Sequence, residues 1–213
     1  MTLITSPGGL VAQTPAGAAN FPQAASGRFG EIREHAVRLF ANKGYNGVSM
    51  RDLAASLGLT AGSLYNHIES KEALLLEFIE ELYETLSAGG RRSIKALPNS
   101  GHSRALIEQH LALHASMPAH FVLAENDARY LGDEHRRKAE DARHRYACLL
   151  AQHCAVDKLT ALSIVTLLNS APVWLFDLSE DARQRANLAC HIVHELQCSQ
   201  AMARSTVSSI AGY

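Results

Sequence analysis

From Glu31 onward, hydrophobic residues recur at intervals of three and four, and nowhere do they alternate with polar ones for long enough to mark a strand. The pattern predicts an all-α protein. Ile32, Ala36, Leu39 and Phe40 share one face of a first helix, which Asn42-Lys43-Gly44 should stop because glycine tolerates the left-handed backbone of a helix end. Ser49 stands as an N-cap with Asp52 three positions on, and Met50, Leu53, Ala54 and Leu57 form the apolar side of a second helix of about two turns. Gly58 permits a sharp turn, Leu59 plugs the core, Thr60 caps a third helix, and Leu64 with Ile68 forms its inner side. Ser70 caps a fourth, whose stripe of Leu74, Leu75, Phe78, Ile79, Leu82 and Leu86 should kink or end at Gly89-Gly90. Beyond Pro98, five helices are expected at about 102–117, 118–131, 133–154, 157–177 and 181–203. Residues 133–145 should form a solvated charged face, and 157–177 should be the most buried helix.

Composition fits this picture, with 47% hydrophobic and 19% charged residues, as in an ordinary globular chain. Residues 1–27 carry no Lys, Arg, Asp or Glu and are expected to be a flexible tail, with a second short tail at 205–213. The start of the chain lacks the positive region and apolar run of a signal peptide. The uncharged stretch from Leu159 to Phe176 approaches membrane-spanning length, but Thr160, Ser163, Thr166, Asn169, Ser170 and Pro172 interrupt it. A buried or subunit-interface helix, no membrane association and a cytoplasmic location are expected. Cys148, Cys154, Cys190 and Cys198 show no zinc spacing and should be reduced, so neither a metal nor a cofactor is expected. GxSxG, Walker, GxGxxG and HExxH motifs are absent, which argues against an enzyme.

The helix, glycine turn and helix at 49–68 form a helix-turn-helix, in which one short helix braces another whose exposed N-terminal residues enter the DNA major groove. Thr60, Ala61, Gly62 and Ser63 open the second helix, and Tyr65, Asn66 and His67 follow on its exposed side. Arg28, Arg51 and Lys71 supply nearby positive charge, and helix starts at Ser49 and Ser70 offer N–H donors to phosphate. The formal net charge is −1, and residues 28–72 hold six cations against five anions, so geometry rather than a global field must carry DNA binding. On charge alone, a helical protein-interaction module that has lost DNA binding stays open.

The stretch VSMRDLAASLGLTAGSLYNHIESKEAL, from Val48 to Leu74, preceded by REHAVRLFANKGYNGVS, resembles the DNA-binding domain of the TetR family of transcriptional regulators. Ile68 stands where the family usually has Phe. The resemblance implies a DNA-binding domain at 28–75 and a helical effector-binding and dimerisation domain at 76–204. It further implies phosphate contacts from Tyr65, His67, Lys71 and either Ser49 or Arg51, and base contacts from Thr60 to Ser63. Arg28 is a further phosphate candidate. A single such motif buries little DNA-facing surface, so a homodimer on a palindromic double-stranded operator is expected. The last two helices would form the interface, with Leu167, Trp174, Leu188, Ile192 and Leu196 as candidates. The middle helices would hold a small-molecule effector, with Leu106, His110, His114, Met117, Phe121 and Arg129 as candidate pocket residues. The run Glu125–Tyr146 and the Leu168-Asn169 pair followed by Trp174 are similar to family members that regulate fatty-acid or acyl-CoA breakdown. That similarity implies an acyl-CoA or hydrophobic carboxylate effector, with Arg129, Arg136 and Arg143 as partners for phosphate or carboxylate. Repression is implied by the family alone.

Overall fold

The structure, a computed structural model, describes residues 27–210, with side chains as far as Met202. The expected tail at 1–27, apart from Gly27, lies outside the described residues, as do residues 211–213. Every regular element among the described residues is helical. The head comprises α1 (Arg28–Lys43), a 3-10 turn (Tyr45–Gly47), α2 (Met50–Ser56) and α3 (Ala61–Tyr65). α4 (Lys71–Ile94) leads into a body of α5 (Asn99–Ser116), α6 (Pro118–Asn126), α7 (Asp133–Cys154), α8 (Lys158–Asn169), α9 (Ala171–Trp174) and α10 (Ala182–Ile210). Short 3-10 turns at Ala128–Tyr130 and Phe176–Leu178 join α6 to α7 and α9 to α10.

The short head helices are held by capping and by one shared core. Ser49 and Asp52 form a reciprocal capping box, Thr60 Oγ1 accepts from Ser63 N at 3.1 Å, and Ser70 Oγ accepts from Ala73 N at 2.9 Å. Ile32, Phe40, Leu53 and Leu64 are fully buried, and α4 closes the floor with Leu74, Leu75 and Phe78. α4 therefore belongs to both cores, because its next turns bury Leu82, Tyr83 and Leu86 in the body.

Several expected boundaries are corrected. α4 runs straight through Gly89 and Gly90 instead of kinking or ending there. A Cβ on Gly90 would lie 2.7 Å from Leu106 Cδ2, and one on Gly89 would collide with the Gln109 side chain. The glycines let α5 lie close against α4, and that packing outweighs their weak helix propensity. α1 includes Arg28 as its first residue, and α5 begins at Asn99, ahead of the expected 102. The helix expected at 118–131 ends at Asn126 and continues as a 3-10 turn. The one expected at 157–177 breaks at Ser170, next to Pro172, which has no N–H to continue the ladder. Nor is it the most buried segment, since Leu159 is 75% and Val173 80% exposed. Its apolar residues surround the helix, and the chain itself covers one side of them. The last helix extends through Ile210, into the segment expected to be a tail. No single helix among the described residues is long and apolar enough to cross a membrane.

Candidate nucleic-acid interface

α2 and α3 are joined by a turn in which Gly58 takes φ +65°, a conformation costly for any residue with a Cβ. Leu64 and Ile68 anchor α3 from below and leave Thr60, Gly62, Tyr65, Asn66 and His67 outward, with Ala61 and Ser63 half-buried. Tyr65 is 54% exposed, which rules out a core-packing role for its ring and leaves the hydroxyl open to solvent. A Cβ on Gly62 would meet nothing within 4 Å, so nothing inside the chain demands glycine there. The Thr60 hydroxyl accepts the Ser63 N–H as a cap, which leaves its own proton and methyl facing outward.

The charge around this surface is thinner than a count of residues suggests. Arg33 is drawn away into ion pairs with Glu77 and, at 2.8 Å, Glu81. Arg38 pairs with Glu34 at 3.2 Å, and Arg28 lies 4.0 Å from Glu31. Arg51, at the start of α2, is exposed and makes no ion pair among the described residues. Lys71 turns inward: its ammonium donates to the Tyr45 carbonyl and sits 3.8 Å from the centre of the Tyr45 ring. Burial lowers the Lys71 pKa against the opposing pull of Asp127. Its placement fits a strut within the molecule better than an arm extended to phosphate.

That strut belongs to a clasp between head and body. Tyr45 stacks on Tyr130 with ring centres 5.8 Å apart, and Glu72 accepts from Gly132 N at 2.7 Å and pairs with His135 at 2.8 Å. The two hydrogen bonds, Gly132 N–H first and then His135, hold the Glu72 carboxyl below its usual pKa. On the other side, Glu81 is shared between Arg33 of α1 and His120 of α6. The head is thus gripped by α6 and by the 127–135 segment as well as by α4.

The six expected pocket residues do not line one cavity. Leu106 is core, packed at Gly90, while His110, His114 and Phe121 form a buried aromatic stack in which His114 and Phe121 lie 3.7 Å apart. His110 Nδ1 meets Tyr146 Oη at 2.9 Å, and His114 Nε2 donates to the Leu168 carbonyl at 2.9 Å. Among the described residues no group of three His, Cys, Asp or Glu side chains is placed to hold a metal. Met117 lines a cavity of about 510 Å³ between α1, α4 and the start of α6. Arg129 lines a different cleft of about 230 Å³ between α4, α6 and α7. Of the expected interface residues, Leu188 is 36% exposed, Leu167, Trp174, Ile192 and Leu196 are half-buried, and Trp174 Nε1 donates to Leu167 O at 2.9 Å. Leu159, Val173 and Leu178, from α8 to the turn after α9, are strongly exposed.

Residues 32–78 match the family described as bacterial regulatory proteins, tetR family. That match covers the head and the first turns of α4. The transcriptional repressor KstR2 of Rhodococcus jostii is 32% identical over 112 residues, 47% of this chain and 54% of the relative. The chain therefore spans about half the length of that curated relative, and less of others. Over the whole fold, the tetR-family regulator PfmR of Thermus thermophilus superposes with a TM-score of 0.66 and 25% identity, covering 78% of this chain and 96% of PfmR. AibR, solved with isovaleryl coenzyme A and operator DNA, gives a TM-score of 0.68 at 22% identity, covering 78% and 97%.

Within the matched segment, Ile68, where the family usually has Phe, is buried and anchors the core. What the sequence left unseen is the clasp. Glu72, Tyr130 and His135 carry no periodic signal, since they face neither core stripe nor recognition surface, and Glu72 meets Gly132 and His135 across 60 and 63 residues of chain. The pairing of Ser70-Lys71-Glu72 with a later aromatic and histidine could be recognised only in three dimensions.

Proposed function

We propose that this chain is a ligand-responsive, DNA-binding transcriptional regulator, a cytoplasmic repressor that reads a palindromic operator as a homodimer. The observation that carries this reading is α3: a helix fixed from below by Leu64 and Ile68, polar on its outer side, with open space above Gly62. A major groove needs such a surface, where backbone and small side chains approach base edges and flanking hydroxyl and imidazole groups meet phosphate. Thr60, Ala61, Gly62 and Ser63 are assigned to bases, and Arg28, Ser49, Arg51, Tyr65, Asn66 and His67 to the backbone or groove edge. Lys71 is the weakest member of the set, because its ammonium is already engaged by Tyr45.

The exposed apolar residues Leu159, Val173, Leu178 and Leu188 of α8–α10 support a homodimer, since a second copy would cover apolar surface that this chain leaves open. An effector of hydrophobic or acyl-CoA type is the further element of the proposal, supported by the likeness to AibR and by the cleft that Arg129, Arg136 and Arg143 line. Selection of bound duplexes from a random pool at two salt concentrations tests the reading. Enrichment of a palindrome is expected. Absence of enrichment at both salts, with folded protein, would favour an interaction module built on the same fold.

A further inference from the structure

α7 begins at Asp133, beside the clasp, and ends at Cys154, about 30 Å away by its rise per residue. At that far end His153, in the last turn of α7, meets His102, the fourth residue of α5. Their Nδ1 atoms lie 3.0 Å apart, and the rings meet edge to face at 72° with centres 4.9 Å apart. His102 is buried and His153 half-buried, and neither has a carboxylate within ion-pair distance among the described residues. The two histidines are 51 residues apart in the chain, so no spacing in the sequence announces the pair.

The bond on the other side of His102 decides its tautomer. His102 Nε2 lies 3.0 Å from the Leu97 carbonyl, in the joint between α4 and α5, and must donate there because a carbonyl only accepts. In its neutral form His102 then presents a bare lone pair from Nδ1. A metal-ligating histidine is held in the same way, with its other N–H given to a backbone carbonyl that fixes tautomer and ring orientation. His153 supplies the second nitrogen once its proton moves from Nδ1 to Nε2, a shift within a neutral imidazole that leaves the net charge unchanged. The C-terminal end of α7 also carries the negative end of the helix dipole, which favours a cation there.

Geometry narrows the choice of ion. With metal–nitrogen bonds of about 2.0–2.1 Å, two nitrogens at a right angle lie about 2.9 Å apart and two at the tetrahedral angle about 3.3 Å. The observed 3.0 Å fits adjacent positions of a square-planar or tetragonal ion. No thiolate enters the set, since Cys154 Sγ donates to Ser103 Oγ at 3.4 Å, and no third His, Cys, Asp or Glu joins the pair among the described residues. Two imidazoles with the remaining positions left to water suit copper(II) or nickel(II) better than zinc. We propose that His102 and His153 are ligands of such a divalent ion, which ties the start of α5 to the end of α7. The site lies away from α3 and from the arginine-lined cleft, and nothing in it depends on the regulator reading.

The test is calorimetric titration of the full chain, prepared without a histidine tag, with Ni(II), which avoids the oxidation of exposed Cys148 that copper(II) would bring. One ion per chain should bind at micromolar concentration and raise the melting temperature. His153→Gln and His102→Gln should each weaken binding by at least about tenfold, a loss that removal of even an outer-shell partner typically causes. His153 is the less buried of the two, so its variant carries the test if His102→Gln does not fold. The rival pair, His194 and Cys198, 3.6 Å apart on α10, sets the control: His194→Gln should leave Ni(II) affinity unchanged. Zn(II) should bind more weakly than Ni(II). Absence of Ni(II) binding below about millimolar concentration, or unchanged affinity in folded His153→Gln, would overturn the site. Tighter binding of Zn(II) than of Ni(II) through the same two histidines would overturn the tetragonal geometry.

Discussion

The head and the body place their polar groups in opposite ways. In the head the interior is apolar, and Thr60, Tyr65, Asn66 and His67, in or beside α3, are exposed, with Thr60 also capping the helix. In the body, His110, His114, Tyr83, Tyr146 and Asn169 are taken inside, where burial first, and then His114, drives the His110 pKa well below its ordinary value. An outward polar surface can be exchanged with little effect on folding, so its residues are free to meet an external partner, as the proposed function requires. Interior polar groups are bound into stability, and a function for them must be sought where an atom is left unmatched, as at His110 Nε2, Asn169 Oδ1 and the half-buried Arg143 Nε.

Two glycines should separate the regions most sharply. Gly90→Val should cost about 3 kcal/mol, read by denaturant unfolding, because its side chain has no room between Leu106 and Leu149. Gly62→Ala should leave stability unchanged or slightly raised, because the space there is open, and on the proposed function should weaken DNA binding about tenfold, because the duplex would enter that space. Equal behaviour of the two variants in both assays would erase the distinction. Two tyrosines repeat the contrast on a smaller scale. Tyr146→Phe removes the partner of buried His110 Nδ1 and should destabilise by about 1–3 kcal/mol, whereas Tyr65→Phe should leave the melting temperature in place and weaken binding to all duplexes alike.

Acid should expose the body's interior next. His110 and His114 both have pKa values lowered from 6.5 by burial, so the unfolded chain binds protons that the folded one refuses. Stability from these two groups is complete above about pH 6.5 and is lost as pH falls below it through their depressed folded values. A melting temperature that falls between pH 7 and 5 in the parent, and less steeply in His110→Phe, is the expected profile; identical slopes would exclude His110 as a cause. The smallest effect on stability is assigned to the clasp: Glu72→Gln should cost under about 1 kcal/mol, since this pair is partly exposed, yet it should loosen the dependence of DNA binding on any cleft ligand. Lys71→Ala likewise should change the salt dependence of DNA binding less than a solvent-facing phosphate contact would, because its charge is already engaged by Tyr45.

The same contrast explains what the sequence disclosed. Helical spacing, the Ser49, Thr60 and Ser70 caps and the Gly58 turn are local features, and each is where the pattern placed it. The surface residues of α3 follow directly, because two inward anchors fix which way the others point. The body was legible as helices but not as a site. Gly89-Gly90 reads locally as a break and acts globally as a contact, and the uniform apolar run from Leu159 to Phe176 does not say which side meets its own chain. His110 and His114 do face inward as their spacing suggests, but Phe121 and Tyr146 fill the space around them, and the unfilled cleft lies one helix away at Tyr83 and Arg143.

DNA reading by α3 is best challenged by titrating the full chain onto its selected duplex across a range of salt concentrations, with the number of chains per duplex determined at saturation. Two chains should occupy each palindrome, affinity should fall steeply with salt, and substitution of Thr60 or Ser63 should abolish the preference for the selected sequence. Binding by one chain per duplex, or equal affinity for selected and scrambled duplexes in the unsubstituted protein, would contradict it.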